Sequence, residues 1–308
     1  MSSSDPSIPA DARPGGETSA ASGARQQPKN RLEPGLHLVS TPIGNLRDIT
    51  LRALDTLAGA DEILAEDTRV ARKLLDAHGI RAKLSAYHDH NGAERRPDLL
   101  ERLASGATIA LISDAGTPLV SDPGWKLAHD ALEAGIRVIP VPGASALLAG
   151  LVASGLPSDR FMFCGFLPVK SGQRRKEAEA LKSVPATLVF YEGGSRLAAC
   201  LADLASILGA DRDAAVAREL TKLFEETRRA RLGDLAAHYA DAGAPKGEIV
   251  ILIGPPVETA PDEADIDAAL REAIAAQPLK QAANDVAEAF GISRRDAYQR
   301  ALALKDDG

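Results

Sequence analysis

Short apolar runs and longer stretches of helical spacing alternate along the chain from Leu36 onward. LHLVST (36–41), EILAED (62–67), AKLSAY (82–87), TIALISD (108–114) and RVIPVP (137–142) each read as a β-strand. Between them, ITLRALDTLAGAD (49–61), VARKLLDAHG (70–79), PDLLERLASG (97–106) and GWKLAHDALEAG (124–135) place apolar residues at helical intervals. Several of these stretches close on glycine, the residue best suited to end a helix. The alternation predicts βαβ units and a mainly parallel sheet.

The strongly apolar GASALLAGLVASGLP (143–157) predicts a helix closed by Gly155 and Pro157. FMFCGF (161–166), ATLVFYE (186–192), AAVAREL (214–220) and EIVILIG (248–254) predict a second set of strands, with helices at about 173–183, 195–208 and 232–242. The fold class is therefore α/β, with one α/β domain over 34–148 and a second over 149–256. The remainder, 257–308, reads as a linker followed by a small helical segment. GPPVETAPDEAD (254–265) supplies the Pro- and acid-rich connection. LKQAANDVAEAFGISRRDAYQRALAL (279–304) predicts two short helices meeting at Phe290-Gly291-Ile292, with Ser293 as N-cap of the second. Such a helix-turn-helix could touch nucleic acid through Lys280, Arg294, Arg295 and Arg300. It could equally be an appendage that packs on the body or on a partner.

Composition narrows the function classes. The chain has 308 residues, 45% hydrophobic and 26% charged, which excludes a wholly disordered protein, a collagen and a small disulfide scaffold. Its two cysteines, Cys164 and Cys200, exclude a CxxC metal cluster and point to a reducing compartment, the cytoplasm. No apolar run approaches the ~18 residues of a membrane span. Residues 1–33, rich in Ser, Pro, Gly and Ala, lack the apolar core of a secretory signal and are expected to form a disordered tail. The net charge is −7, yet Lys170, Arg174, Arg175 and Lys176 cluster, as do Arg228, Arg229 and Arg231, and Arg294 with Arg295. Local basic patches bind phosphate even on an acidic protein, although a solvated helix face gives the same pattern.

The chemistry should sit in the loops after the strands, because open α/β sheets bind ligands at the strands' carboxyl ends. Thr41-Pro42-Ile43-Gly44-Asn45-Leu46 is the first such turn, and it is neither GxGxxG nor a phosphate loop. The second runs from Ser113 through Asp114-Ala115-Gly116-Thr117-Pro118-Leu119 to Gly124. Twelve residues rich in Gly, Pro, Asp and hydroxyls exceed what a simple connection needs and point to a small polar ligand. Val141-Pro142-Gly143-Ala144-Ser145 is the third. Further polar clusters are Glu66-Asp67-Thr68-Arg69, with Glu66 and Arg69 spaced as a surface pair, His88-Asp89-His90-Asn91, and Arg218-Glu219-Leu220-Thr221-Lys222. The His-x-His pair has no third ligand at metal-binding spacing, so no metal is expected.

Taken together and in order, TPIGNLRDIT, AEDTR, HDHN, SDAGTPLVSDPG, VPGAS, GLPSDRFMFCGFLP, FYE, ARELTK and KGE resemble the ribosomal RNA small subunit methyltransferase I family. That family belongs to the tetrapyrrole-methylase-like class of S-adenosylmethionine-dependent methyltransferases. The resemblance spans about residues 36–254 and the C-terminal helices. It implies two α/β domains with a cofactor cleft between them, a homodimer, and 2′-O-methylation of a cytidine in the decoding region of 16S ribosomal RNA, with that RNA met within the small ribosomal subunit. It also implies cofactor contacts from Pro42, Asp114, Gly116, Thr117, Pro118, Leu119, Pro142, Gly143 and Ser145, and from Phe166, Tyr191 and Gly247. Where the family commonly has His two residues after Gly193, this chain has Ser195.

A ribose hydroxyl needs a proton acceptor before it can attack a methyl group. His88, Asp89, Glu192 and Glu219 are the candidates, and the residues do not rank them. Arg218 and Lys222 fit phosphate contacts, alongside Lys170, Arg174, Arg175, Lys176, Arg294 and Arg295. Two alternatives stay open: a methyltransferase of porphyrin precursors, and a nucleic-acid-binding regulator that has lost catalysis.

Overall fold

The three central strands of the first half, at 35–39, 62–65 and 108–112, are buried on both faces, so each reads as a nearly continuous apolar run. The structure, a computed structural model, describes residues 32–256 and 263–306. The expected tail and most of the expected linker lie outside the described residues. Two units partition the chain: one takes the residues to Ala144 except Ile43–Asn45, the other takes those three and Ser145 onward.

In the first unit the chain runs β1 (Gly35–Val39), α1 (Leu51–Gly59), β2 (Glu62–Ala65), α2 (Thr68–Ala77), β3 (Leu84–Ala86), α3 (Asp89–Ala104), β4 (Thr108–Ile112), α4 (Trp125–Glu133) and β5 (Val138–Val141). The strands form one sheet in the order β3-β2-β4-β1-β5, all parallel. Alternation along the strands divides the core in two. Val39, Ile63, Ala65, Ala110 and Ile112 meet Leu54, Leu57, Ala71 and Leu75 of α1 and α2. Leu36, Leu64, Ile109 and Leu111 meet Leu99, Leu103, Leu127 and Ala131 of α3 and α4. Every strand therefore ends its carboxyl terminus at the same edge.

The α3 helix starts eight residues before the predicted PDLLERLASG, because Pro97 sits inside it rather than opening it. Pro97 has no N–H to donate to the preceding turn, so α3 forgoes one backbone bond there. The His88–Asn91 cluster thus becomes a helix start: His88 N–H donates to Asn91 Oδ1 (2.9 Å), and Asn91 Nδ2 donates to Ala86 O (3.1 Å).

The second unit contains α5 (Ala146–Ser154), β6 (Phe161–Phe166), α6 (Ser171–Leu181), β7 (Thr187–Gly193), α7 (Leu197–Leu208), β8 (Asp213–Arg218), β9 (Glu226–Arg231), α8 (Leu232–Ala242) and β10 (Glu248–Ile253). Its sheet runs β6-β7-β10-β8-β9, parallel only between β6 and β7. Leu188, Phe190, Val216 and Ile251 pack on α6, α7 and α8, while Val189, Ala215, Ala217 and Val250 pack on α5. The β9 strand escaped the sequence reading because ETRRAR has no apolar alternation. It is an edge strand whose charges discourage further pairing.

Three helices follow: α9 (Glu263–Ala276), α10 (Leu279–Phe290) and α11 (Arg294–Asp306). The α9 helix begins within the last three residues of the expected linker. Ile266, Leu270, Ala283, Val286, Ala287, Ala297 and Ala301 make a core of their own. Gly291 ends α10 at φ 64°, and Ser293 Oγ accepts from Asp296 N (3.0 Å), as its N-cap role requires. Among the described residues no helix is long and apolar enough to cross a membrane.

At the amino end of β2 the buried Glu62 carboxylate is held by Lys83 (3.0 Å), Arg95 (3.0 Å) and Arg102 (2.6 Å). Burial pushes its pKa up, but hydrogen bonds from Ser85, Lys83 and Arg102 outweigh that and bring it from 4.5 down to about 2. A depressed carboxylate pKa contributes stability above the unfolded value, lost as pH falls towards the folded one. Urea unfolding should therefore show a stability loss between about pH 4.5 and 2. Glu62→Gln should lower stability at pH 7 by roughly 3 kcal/mol and flatten that pH dependence; an unchanged pH profile in the variant would remove Glu62 as its source.

Candidate active site

The turns after β1, β4 and β5 are stitched together by short hydrogen bonds. Thr41 N–H donates to Gly116 O (2.8 Å) and Gly116 N–H to Thr41 O (3.1 Å), an isolated antiparallel bridge between two loops that follow parallel strands. Thr41 Oγ1 also donates to Ser113 O (3.1 Å), and Ser113 Oγ to Gly116 O (3.1 Å). Ser40 Oγ and Thr117 Oγ1 share a hydrogen bond (3.1 Å), and Thr117 Oγ1 reaches Ala144 O (3.5 Å). Gly116 sits at φ 80°, a left-handed conformation that a branched residue adopts only with strain. The sequence reading passed over Ser40 and Ser113 as stitching groups; the signal was a hydroxyl at the end of each strand.

Beyond Gly116 the loop keeps unusual geometry. Leu119 (φ 71°) and Ser121 (φ 65°) hold left-handed backbone without being glycine, a cost that clusters at functional sites. Pro42, Gly116 and Pro118 are buried, Thr117, Leu119 and Ser145 are half-buried, and Asp114, Pro142 and Gly143 are exposed. Asp114 Oδ1 accepts from Asp67 N (3.0 Å), which ties the loop after β2 into the same set.

That edge is acidic. Burial, and then the charges of Asp114 and Asp89, push the Glu66 carboxyl above its ordinary pKa. Asp67 caps α2, accepting from Arg69 N (2.8 Å), and the Arg69 guanidinium beside it holds its carboxyl down at about 2. The ion pair here is Asp67–Arg69 (2.7 Å), not the Glu66–Arg69 pair that spacing alone offers. His88 and Asp89 line a cavity of about 360 Å³ with Tyr87, Arg96, Asp122, Trp125 and Lys126. His88 Nδ1 is buried there and has no hydrogen-bond partner among the described residues.

A single 3-10 turn, Leu46–Asp48, follows the first loop, and α1 starts at Leu51, where Thr50 Oγ1 accepts from Ala53 N (3.1 Å); Asn45 N–H donates to Thr221 Oγ1 (3.1 Å). At the third, Ser145 Oγ accepts from Leu148 N (3.5 Å), and the Tyr191 hydroxyl accepts from Leu147 N (3.1 Å). These α5 amides are therefore already engaged.

In the second unit Tyr191 also stacks edgewise on Phe163 (4.8 Å) and on the exposed Phe166 (5.6 Å). Glu219 (φ 50°) and Thr221 (φ 66°) form a second strained loop, in which Lys222 pairs with Glu219 (2.9 Å). Gly247 holds φ 92°, backbone that favours glycine, and a Cβ there would stand 2.0 Å from Glu219 Oε1, so a larger residue would displace that carboxylate. Glu192 is corrected as a proton acceptor. It is 2% exposed, with Oε1 accepting from Gly193 N (2.8 Å) and Oε2 paired with Arg196 (3.0 Å), so burial and the ion pair keep it from a substrate.

The basic residues separate sharply. Arg174 is corrected as an RNA contact: it is 4% exposed, paired with Asp203 (2.6 Å), and donates to the Pro168 and Val169 carbonyls. It fastens α6 to α7. Arg175 bonds Ser206 (2.9 Å) and Asp203 (3.4 Å). Arg218 pairs with Glu226 across β8 and β9 (2.8 Å). Of the β9 cluster, Arg228 pairs with Glu226, Arg229 donates to the Ala153 and Ser154 carbonyls ending α5, and Arg231 pairs with Asp213. Arg300 is bound to Asp267 and Glu263 of α9. Lys170, Lys176, Lys280, Arg294 and Arg295 are exposed and form no ion pair among the described residues.

Comparison with known proteins agrees with this architecture. Residues 35–236 match the family model of Tetrapyrrole (Corrin/Porphyrin) Methylases, and residues 260–305 match the RsmI C-terminal HTH domain. Ribosomal RNA small subunit methyltransferase I of Mesorhizobium japonicum is 55% identical over 92% of this chain and 97% of its own. The protein of that name from Escherichia coli O157:H7 is 45% identical over 90% and 98%. The solved uroporphyrin-III-C-methyltransferase of Thermus thermophilus shares the fold at 22% identity, with a TM-score of 0.52 over 72% of this chain and 94% of its own.

The contrast between buried and exposed cations is measurable. Arg174→Ala should lower stability in urea unfolding by about 3–5 kcal/mol, because Asp203 is left charged and buried. Lys176→Ala should change it by less than about 0.5 kcal/mol. Equal small effects would mean that Arg174 does not fasten α6 to α7.

Proposed function

Because the chain belongs to the ribosomal RNA small subunit methyltransferase I family, we propose that it transfers a methyl group from S-adenosylmethionine to the ribose 2′-oxygen of one cytidine in the decoding region of 16S ribosomal RNA. The observation that carries the cofactor is the gathering of Glu66, Asp89 and Asp114 beside the stitched loops. Three carboxylates that repel one another suit a ligand with a sulfonium and an ammonium group. They oppose a pyrophosphate or triphosphate.

The residues present fit that ligand. Bound there, S-adenosylmethionine supplies an electrophilic methyl group on a positive sulfur. Pro42, Gly116, Thr117, Pro118 and Leu119 shape its surroundings with backbone, Pro142, Gly143 and Ser145 border them, and Asp114 offers the carboxylate. Phe166, Tyr191 and Gly247 of the second unit are assigned to the same ligand by the family resemblance.

Methyl transfer from sulfur to oxygen is an in-line displacement, so fixed alignment is the larger part of the protein's task, worth up to ~7–11 kcal/mol. The attacking hydroxyl must give up its proton, and a positioned acceptor contributes about 10²–10⁴-fold. His88 and Asp89 are the acceptors we favour, since they share a cavity at the acidic edge, whereas Glu192 is sealed and Glu219 is paired with Lys222. Lys170, Lys176, Arg294 and Arg295 are the phosphate contacts this reading retains, with Arg175, Arg218 and Lys222 available only by breaking existing bonds. A 16S rRNA substrate within the small ribosomal subunit, a homodimer and a cytoplasmic location complete the proposal.

Mass spectrometry of 16S ribosomal RNA tests it. Cells lacking the gene should lose one 2′-O-methylcytidine, and the purified chain with S-adenosylmethionine should restore it on their small subunits. Unaltered methylation in those cells would refute the reading.

A further inference from the structure

Trp125 opens α4 immediately after the loop that carries Asp114 and Gly116, and it is the chain's single tryptophan. It is 62% exposed. A residue of this size is ordinarily well buried, so an indole left in water marks a surface that meets something. Its only ring neighbour among the described residues is His129 one turn further on, tilted by 41° with centroids 5.2 Å apart. The other wall is the cavity of about 360 Å³ whose polar lining is His88, Asp89, Arg96, Asp122 and Lys126.

Size and chemistry together select the occupant. Small-ligand sites begin at about 300 Å³, so this volume admits one nucleotide rather than a macrocycle with its side chains. The lining carries both signs of charge, whereas the centre of a protein–protein contact is depleted of charge, which disfavours a second copy of the chain as the occupant. An exposed indole offers a face on which an unstacked base can lie. Carboxylates accept from the exocyclic amino group of cytosine, and Asp89 is exposed beside the cavity. Lys126 is exposed and forms no ion pair among the described residues, which leaves its ammonium for a phosphate. Arg96, by contrast, is held by Asp130 (2.7 Å) and serves as wall.

We propose that this cavity receives the target cytidine, with its base stacked on Trp125, its exocyclic amino group at Asp89 and its ribose at His88, which narrows the proton acceptor to His88. This rests on the RNA-methylation reading and adds to it the residue that receives the unstacked base. Trp125 contributes binding of the substrate nucleotide, and the proton acceptor remains a separate group.

The single tryptophan reports directly. A single-stranded oligoribonucleotide carrying one cytidine, titrated into the full chain saturated with S-adenosylhomocysteine, should quench the indole emission. Its anisotropy, from a fluorescent end label, should give the same affinity. Trp125→Ala should weaken that affinity roughly tenfold or more, Trp125→Phe should recover most of it, and both should bind S-adenosylmethionine like the wild type. Binding without quenching would overturn the stack, as would equal affinity in Trp125→Ala. A change in oligomeric state in Trp125→Ala would overturn it in favour of a contact between copies. If wild type methylates small subunits while any of these holds, only the Trp125 assignment falls; if wild type neither binds RNA nor methylates subunits, the underlying reading falls with it.

Discussion

Two backbone hydrogen bonds between Thr41 and Gly116 set the geometry on which the candidate site depends. The loops after β1 and β4 leave neighbouring parallel strands and would otherwise diverge into solvent as flexible connections. Pairing them as an antiparallel bridge forces both to turn back over the sheet edge. Ser40, Ser113 and Thr117 then fill the remaining bonding positions with hydroxyls, reaching as far as the Ala144 carbonyl. Backbone polar groups near a binding surface are thereby satisfied without long side chains, which leaves room for a ligand to approach. Gly116 is the residue that permits this, since its φ of 80° is open to glycine at little cost.

Charge is arranged on the same principle of separation. Glu62 sits at the amino end of β2 among three cations and serves stability, while Glu66, four residues later at the carboxyl end, faces Asp114 and Asp89 and has its pKa raised. One short strand thus separates a neutralised carboxylate from a set left in mutual repulsion. Fold stability does not benefit from the second arrangement, and a cationic ligand would relieve it. The cations follow the same division: Arg174 and Arg300 are committed to internal partners, whereas Lys170, Lys176, Arg294 and Arg295 stay in water.

Much of this was legible from residues alone, and what was not had identifiable reasons. The central parallel strands β1, β2 and β4 are legible because burial on both faces demands continuous apolar runs, the outer β3 and β5 by their place between helical stretches, and the SDAGTP loop because its composition suits no ordinary connection. The β9 strand stayed hidden since an exposed edge strand needs no apolar face, and the start of α3 because Pro97 imitates a helix opening. Helices α10 and α11 are legible through their caps; α9 is a third helix that the sequence reading did not include, because the Pro- and acid-rich stretch leading into it reads as linker. The fate of Arg174 was not readable, because its partner Asp203 lies on another helix. Nor was the sealing of Glu192, which depends on Arg196 folding back onto it. Motif spacing finds loops well, but which side chains are already occupied is decided by tertiary contacts.

Whether the stitched loops hold S-adenosylmethionine is tested directly by calorimetric titration of that ligand into wild type and Gly116→Val. Wild type should bind S-adenosylmethionine and not NADH. The variant should lose at least tenfold in affinity while unfolding in urea within about 1–2 kcal/mol of wild type, the strain of a branched residue in left-handed backbone. Equal affinity in the two proteins, or binding of NADH in place of S-adenosylmethionine, would contradict it.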